Sequence, residues 1–179
     1  MNIFLIGYRA TGKTSIGRTL AHMLKWDFAD SDTMITADEG QSITEIVEQK
    51  GWACFRQKEK DMIELLCRKK KHIIATGGGV VEDFENIQMM KKSGSIIWLT
   101  ADPETIRQRI EKDEKSQSQR PALTGNGMTA EIMEVLTRRI PLYKQAMNFH
   151  VDTDNRLIET ICDSIYQQLN DDYPTIFEK

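Results

Sequence analysis

The sequence predicts an α/β fold in which helices cover both faces of a parallel sheet. Short apolar runs alternate with longer amphipathic stretches along the chain, and strands that alternate with helices in this way form parallel sheets. The chain has 179 residues, 40% of them hydrophobic, which is enough for one ordinary core and too few for two. We therefore expect a single globular domain.

Five short runs are predicted strands, and the fully apolar ones are typical of strands buried on both faces. The predicted strands are Asn2 to Ile6, Phe28 to Asp30, His72 to Ala75, Ser95 to Leu99 and Phe149 to Asp152. Helical spacing of apolar residues predicts Lys13 to Lys25, Ile43 to Gln49, Trp52 to Arg68, Asp83 to Lys92, Pro103 to Lys112, Thr129 to Met147 and Arg156 to Asn170. Thr129 suits an N-cap. Ligands of such sheets bind beyond the carboxyl ends of the strands, so the residues there are the first functional candidates.

Composition and charge argue against several classes of protein. Lys and Arg number 24 and Asp and Glu 27, a net charge of −3, which gives no electrostatic reason to expect a nucleic-acid or membrane partner. Three widely spaced cysteines fit neither a disulfide framework nor a zinc site. They favour the reducing cytoplasm. No apolar run reaches the length of a signal peptide or of a membrane span of about 20 residues.

The segment Gly7 to Thr14, GYRATGKT, matches the phosphate-loop pattern GxxxxGK[ST] at every fixed position. It lies between a predicted strand and a predicted helix, as the motif requires. Lys13 is expected to bridge the β and γ phosphates, and the Thr14 hydroxyl to bind Mg²⁺. The predicted phosphate-binding residues are Ala10, Thr11, Gly12, Lys13, Thr14 and Ser15.

Two carboxylates follow the second predicted strand, in the sequence FADSD. In one interpretation, one of these carboxylates faces Mg²⁺ and the other faces an acceptor hydroxyl. In the other, Asp30 ends the strand and Ser31 or Asp32 caps the next helix. The chain lacks the NKxD and DxxG motifs of GTPases and the paired Asp-Glu of motor-type ATPases, which argues against both of these classes.

Glycines and arginines supply the other candidates. The run ATGGG, Ala75 to Gly79, allows backbone amides to approach a ligand, although glycine-rich turns are also common in purely structural roles. Arg120 lies in the polar stretch Asp113 to Gly127, whose composition is typical of a mobile loop. On such a loop it could close over a transferring phosphoryl group. Arg56, Arg109 and Arg139 could equally be solvated surface residues.

Taken in order, GYRATGKTSIG, DSD, FRQKE, ATGGGVV, RPAL and RRIPLY resemble the shikimate kinase family, from Asn2 to about Leu169. The resemblance implies a three-layer α/β/α fold like that of nucleoside-monophosphate kinases, with a five-stranded parallel sheet. It places a substrate-binding segment at 31–60 and a lid at 113–128 within a domain spanning 1–170, followed by a tail at 171–179. It implies transfer of the γ-phosphoryl group of MgATP to the 3-hydroxyl of shikimate, by a cytoplasmic monomer serving chorismate and aromatic amino acid biosynthesis.

The resemblance also assigns roles to single residues. Lys13, Asp32 and Arg120 become the catalytic residues, with Arg120 also contacting ATP. Thr14 and Asp30 hold the metal, and Arg109 and Arg156 lie at the adenine pocket. The implied shikimate-binding residues are Asp32, Arg56, Gly77, Gly78, Gly79 and Arg139. The resemblance further implies that ATP and Mg²⁺ are the cofactors and that shikimate is the small-molecule partner.

The phosphate loop departs from the family pattern, because Ala10 replaces the usual glycine and Arg9 adds a charge. We expect these changes to alter the stiffness of the loop more than its binding. Two other functions stay open: a related kinase for a sugar acid such as gluconate, and a nucleotide-binding module without transfer activity. The presence of Lys13, Asp32 and Arg139 argues against the second, since a binding-only module needs no acceptor pocket.

Overall fold

Five parallel strands form one sheet in the order β2-β3-β1-β4-β5. The computed structural model describes residues 1–112 and 127–174. The strands are β1 (Asn2–Ile6), β2 (Asp27–Asp30), β3 (His72–Ala75), β4 (Gly94–Thr100) and β5 (Phe149–Asp152). In the register of the central strand, Ile3 of β1 lies beside Ile73 of β3 on one side and Ser95 of β4 on the other.

Helices follow the strands on both faces of the sheet. Within the described ranges they are α1 (Lys13–Leu24), α2 (Ser31–Glu39), α3 (Ile43–Cys67), α4 (Phe84–Ser93), α5 (Pro103–Lys112), α6 (Met128–Ala146) and α7 (Ile158–Asp172), with a 3₁₀ helix at Val80–Glu82. No helix of these ranges is long and apolar enough to cross a membrane.

Alternate residues of β1 enter two separate cores because successive side chains of a strand point to opposite faces. Ile3 and Leu5 pack against α1 and α7, whereas Phe4 and Ile6 pack against α3, α4 and α6. All four side chains are fully buried. The predicted three-layer α/β/α fold with a five-stranded parallel sheet is thus confirmed.

Three differences between the helices and the sequence prediction go beyond one residue or concern a cap or a whole element. The short helix α2 has no counterpart among the predicted elements, because Ile35 is its one buried hydrophobic residue and so its sequence carries almost no apolar stripe. Helix α6 begins at Met128 with Gly127 as its N-cap, so the prediction that Thr129 is the N-cap was wrong. Helix α7 begins at Ile158, two residues after the predicted start.

Candidate active site

Three segments meet at the carboxyl edge of the sheet, where β1, β2 and β3 end. The strand order places β3 between β2 and β1, so the glycine run after β3 lies between the aspartates and the phosphate loop. Hydrogen bonds fasten the three segments together: Thr76 N donates to Leu5 O at 3.1 Å, and Gly77 N donates to Ser31 Oγ at 3.1 Å. The edge is therefore one connected surface, at the place where parallel sheets bind ligands.

The phosphate loop has the geometry of an anion site. Gly12 is the N-cap of α1 with φ 89°, and no side chain of the described residues caps that helix, whereas Asp30, Ser42 and Asp83 cap α2, α3 and α4. The buried Lys13 ammonium donates to the carbonyls of Gly7 and Tyr8, at 2.8 Å each. A helix N-terminus without a side-chain cap and an adjacent cation attract a phosphate through the dipole and direct charge.

The loop is fastened from two sides at its unusual residues. Ala10 adopts a left-handed φ of 61°, a conformation that is costly for a residue with a β-carbon. Its carbonyl accepts a hydrogen bond of 3.2 Å from Arg109 Nη1. Arg9 forms a salt bridge with the buried Glu131 of α6. These contacts support the expectation that Arg9 and Ala10 alter the stiffness of the loop, which stays a prediction.

Asp30 combines a helix-capping contact with a contact to the phosphate loop. Its Oδ1 accepts a hydrogen bond of 3.1 Å from Thr33 N and so caps α2, while its Oδ2 accepts one of 2.8 Å from Thr14 Oγ1. Asp30 is thus the cap, and the expectation that Ser31 or Asp32 fills that position was wrong. The chain does not stay extended after Asp30, since Asp32 lies in the first turn of α2.

The Thr14 and Asp30 oxygens fit Mg²⁺ as part of its ligand set. The described residues contain no cluster of three or more His, Cys, Asp or Glu side chains able to hold a metal. Mg²⁺ in phosphoryl-transfer sites, however, takes only one or two protein oxygens and completes its shell with water and substrate phosphates. Two hard oxygen groups 2.8 Å apart at the mouth of the loop meet that requirement.

A cleft lined by twelve residues lies beside the phosphate loop. Its wall combines apolar, acidic and basic side chains with bare backbone: Tyr8, Arg9, Asp32, Ile43, Trp52, Phe55, Arg56, Glu59, Gly77, Gly78, Gly79 and Arg139. Every predicted shikimate-binding residue is in this set. The structure therefore brings together residues that lie more than 100 positions apart in the chain.

Charged side chains lie so close to the glycine run that any side chain added to one of its glycines would collide with a neighbouring atom or crowd it. A β-carbon at Gly77 would lie 2.6 Å from Glu59 Oε1 and 2.7 Å from Asp32 Oδ1, and one at Gly79 would lie 2.2 Å from Arg56 Nη2. At Gly78 the nearest atom is the carbonyl oxygen of Gly7, at 3.3 Å. Because the run has no side chains, the two acids Asp32 and Glu59, the guanidinium of Arg56 and the phosphate loop can all lie close to it.

Two arginines reach the cleft from different helices, and carboxylates hold both. Arg56 of α3 donates to Glu59 Oε2 at 2.7 Å and to Glu82 Oε2 at 3.0 Å. Arg139 of α6, which is almost fully buried, donates to both oxygens of Glu82, at 3.1 and 3.3 Å. Burial alone would raise the pKa of Glu82, but the hydrogen bond from Arg139 and the nearby arginine charges lower it below its usual range.

Glu59 is the most deeply buried acid of the cleft. Burial raises its pKa to about 7; the charge of Arg56 opposes the shift and that of Asp32 adds to it. Its Oε1 has no hydrogen-bond partner among the described residues. A buried acceptor of this kind is able to receive a ligand hydroxyl.

A second hollow lies on the other side of the loop, where Arg109 and Arg156 come together with Thr105, Gln108, Lys112, Asn155 and Leu157. Arg109 donates to Thr153 Oγ1 at 3.0 Å and to Thr153 O at 2.8 Å. Arg156 donates to Ser164 Oγ of α7 at 2.6 Å. The two arginines predicted at the adenine pocket therefore border one site, whereas the predicted lid arginine, Arg120, lies outside the described residues.

Three residues of the site were missed by sequence reasoning. Glu59 carried a usable signal, because it follows Arg56 by three residues on a helix, a spacing at which opposite charges pair. Glu82 carried none, since its partners Arg56 and Arg139 are 26 and 57 residues away. Neither did Tyr143, whose buried hydroxyl donates to Gly78 O at 2.5 Å and fixes the glycine run.

Comparisons with known proteins agree with this geometry. The family profile described as shikimate kinase matches residues 9–170. A shikimate kinase of Syntrophus aciditrophicus is 39% identical, covering 93% of this chain and 90% of the relative. The solved shikimate kinase of Acinetobacter baumannii in complex with shikimate superposes with a TM-score of 0.90 at 29% identity, over 96% of this chain and 94% of that one.

A gluconokinase of Sinorhizobium meliloti resembles the chain much less. Its TM-score is 0.57 at 12% identity, over 98% of this chain and 95% of that one, so the likeness extends to the fold alone. The sugar-acid kinase alternative is therefore not favoured. The chain belongs to the shikimate kinase family.

Proposed function

We propose that this kinase transfers the γ-phosphoryl group of MgATP to the 3-hydroxyl of shikimate, giving shikimate 3-phosphate and ADP. The observation that carries the proposal is the cleft beside the phosphate loop, where Asp32 lies at one side and two arginines at another. An acid for a hydroxyl and a pair of guanidinium groups for a carboxylate are what a hydroxylated carboxylic acid requires.

On the acceptor side, Arg56 and Arg139 bind the carboxylate, and the bare backbone of Gly77, Gly78 and Gly79 lets the ring approach closely. Asp32, pressed against Gly77, orients the attacking hydroxyl and accepts its proton. Holding the hydroxyl in line with the phosphate replaces an encounter in solution by a fixed geometry, which together with electrostatic stabilisation supplies the rate gain of such a reaction.

On the donor side, the phosphates lie along the backbone of Ala10, Thr11, Gly12 and Ser15, with the Lys13 ammonium on the β and γ phosphates. Thr14 and Asp30 would hold Mg²⁺, with Asp30 acting through a water molecule. Mg²⁺ supplies neutralising charge on the phosphate oxygens. Arg109 and Arg156 border the adenine pocket, and Arg120 contacts the γ-phosphoryl group. The reaction needs no covalent intermediate, only position and charge.

We further propose a single kinase domain at 1–170, with a substrate-binding segment at 31–60, a lid at 113–128 and a tail at 171–179. The cleft side chains from α2 and the second part of α3 support the placement of the substrate segment. The enzyme is proposed to act as a cytoplasmic monomer in aromatic amino acid biosynthesis. The three cysteines, which form no disulfide in the described residues, support a reducing compartment.

A coupled ADP-release assay with MgATP and a panel of shikimate, quinate and gluconate tests the proposal. We expect rapid turnover with shikimate and little with gluconate. Asp32→Asn should abolish turnover, whereas the matched variant Asp38→Asn, on an exposed position of the same helix, should keep it. Equal turnover of shikimate and gluconate, or of neither, would contradict the assignment.

A further inference from the structure

The carboxylate of Glu82 makes the contacts that a bound carboxylate would make in this cleft. Glu82 ends the 3₁₀ helix that follows the glycine run. Its Oε1 accepts hydrogen bonds from Arg139 Nε at 3.1 Å and Arg138 Nη2 at 2.7 Å. Its Oε2 accepts from Arg139 Nη2 at 3.3 Å and Arg56 Nη2 at 3.0 Å. The two oxygens thus meet the Nε and Nη2 donors of Arg139 side by side, the two-pronged geometry of an arginine–carboxylate pair.

The substrate carboxylate needs the same N–H groups. The other terminal nitrogen of Arg56 already donates to Glu59 at 2.7 Å, so Arg56 Nη2 is the donor that it can offer to a ligand. In Arg139, Nε and Nη2 form the fork that suits a planar carboxylate. A substrate carboxylate that binds the Nε–Nη2 fork of Arg139 and Nη2 of Arg56 must therefore share these donors with Glu82 or displace it.

We propose that Glu82 is a built-in competitor of the substrate carboxylate, which moves off Arg56 and Arg139 and onto Arg138 when shikimate binds. The proposal rests on the proposed function, which assigns Arg56 and Arg139 to the shikimate carboxylate. It adds a residue that sets the affinity for substrate and product, with no direct part in phosphoryl transfer.

The bond lengths and the exposure of Glu82 indicate that a substrate carboxylate can displace it from Arg56 and Arg139. Its bonds to Arg139, at 3.1 and 3.3 Å, are longer than the roughly 2.7–2.9 Å of a strong charge-assisted bond. Its side chain is 24% exposed, and that of Arg138, its shortest partner, is 61% exposed, so an outward movement keeps an ion pair. Glu59 differs in both exposure and bond length, because its side chain is buried and its bond to Arg56 is short, at 2.7 Å. Glu59 thus holds Arg56 in place while Glu82 exchanges.

Competition of this kind has a chemical use. Phosphoryl transfer does not change the carboxylate, so the arginines bind substrate, transition state and product equally, and such binding does not speed the chemical step. Two arginines without a competitor would hold the phosphorylated product as firmly as the substrate. Glu82 weakens both complexes and so lets the product leave.

Calorimetric titration of shikimate into Glu82→Gln tests the proposal. We expect the Kd to fall about 10-fold, because the substrate no longer displaces an anion. The KM should fall with it, while kcat stays the same or drops through slower product release. Glu85→Gln is the matched control: it makes the same charge change three residues away, on a 69% exposed side chain paired with Lys60. Shikimate methyl ester, which carries no carboxylate charge, should gain no affinity from Glu82→Gln.

A thermal unfolding measurement shows whether Glu82→Gln is correctly folded. Without shikimate, Glu82→Gln should have a lower Tm than the wild type, since the buried Arg139 loses its anionic partner, and saturating shikimate should raise that Tm by more than it raises the wild-type value. Glu82→Asp, which keeps the charge but shortens the side chain, should bind shikimate with intermediate affinity. Unchanged or weaker shikimate binding by Glu82→Gln would overturn the proposal and leave Glu82 as a positioning residue for the arginines.

These experiments distinguish a failure of the proposed function from a failure of the proposed competition by Glu82. If the wild type does not bind shikimate, or binds it equally well after Arg139→Ala, the proposed function fails. If the wild type binds shikimate and Arg139→Ala weakens binding, but Glu82→Gln brings no gain, only the competition fails.

Discussion

Asp30, at the carboxyl edge of the sheet, makes one contact that stabilises a helix and one contact at the proposed metal site. Asp30 caps α2 through one oxygen and meets Thr14 through the other. A substitution that removes both contacts cannot tell them apart. Asparagine separates them, because it is about as good an N-cap as aspartate but carries no charge for a metal.

We predict that Asp30→Asn keeps the stability of the wild type but needs more Mg²⁺ for activity. Asp30→Ala should show the same Mg²⁺ effect and also lose about 1 kcal/mol of unfolding free energy, the usual cost of a missing N-cap. Denaturant unfolding and ADP release across a Mg²⁺ titration measure the two effects. An unchanged Mg²⁺ requirement in Asp30→Asn would reduce Asp30 to a helix cap.

Glu59 makes stability depend on pH. Burial raises its pKa from 4.5 to about 7 in the folded chain, so the folded state favours the protonated acid. Its contribution to stability is therefore complete below pH 4.5 and is lost as the pH rises through about 7. The sign is opposite to that of an ordinary surface carboxylate in an ion pair.

We predict that Glu59→Gln, which imitates the protonated acid, gains stability relative to the wild type as the pH rises from 5 to 8. The difference in unfolding free energy should change by up to about 3 kcal/mol, since each pKa unit corresponds to about 1.4 kcal/mol. Urea unfolding at several pH values measures it. Glu64→Gln, on an exposed face of the same helix, should give a curve parallel to the wild type; a parallel curve for Glu59→Gln would show that Glu59 is ionised throughout.

At the scale of elements, the break in α3 sets the direction of the cleft wall. Gly51 interrupts the helix with φ 80° and ψ 165°, a backbone region that essentially only glycine enters. The part before it contributes Ile43 and Ile46 to a small core, which Phe55 from the part after it completes. The second part also carries Arg56, whose guanidinium lies 5.5 Å from the centre of the Trp52 ring.

We predict that Gly51→Ala lowers the unfolding free energy by about 1–3 kcal/mol and raises the KM for shikimate. Because a β-carbon there would meet no atom within 4 Å, the cost comes from the backbone, and any relief of it must move Arg56. Gly40→Ala is the comparison, since Gly40 also has a positive φ and open space but ends α2 outside the cleft wall. It should lose stability with the KM unchanged; an unaltered KM in Gly51→Ala would contradict the role of the break.

The sequence predicts those parts of the site that depend on neighbouring residues. The phosphate loop could be found because its glycines, lysine and threonine act within eight positions, and the two parts of α3 because Gly51 interrupts the apolar spacing. Glu82 could not be found, since its importance arises only when folding brings α3 and α6 to the same side of the sheet. The helix α2 was missed for a different reason: it follows β2 without a loop and buries little apolar surface.

For the molecule as a whole, the distribution of charge matters more than the net value of −3. Cations gather at the carboxyl edge of the sheet, but nearby anions or carbonyls hold those beside the phosphate loop. Arg9 is bound to Glu131, and Arg109 to the carbonyls of Ala10 and Thr153. These arginines shape the loop and cannot move to the γ-phosphoryl group without breaking it. We therefore assign a further cation at the γ-phosphoryl group to Arg120, in the segment that follows α5 in the sequence and lies outside the described residues.

We predict that Arg120→Ala lowers kcat by about 10³-fold, the low end for an arginine that stabilises charge on a transferring phosphoryl group, and raises the KM for shikimate far less. The split follows because an interaction that strengthens only in the transition state changes kcat and leaves substrate binding nearly intact. Steady-state kinetics at saturating ATP measure both constants. Arg107→Ala is the control, because Arg107 lies on the exposed face of α5 in ion pairs with Glu104 and Glu111 and should change neither constant. A near-normal kcat in Arg120→Ala would show that Arg120 is a solvated loop residue, and the charge on the transferred group would then be left to Lys13 and Mg²⁺.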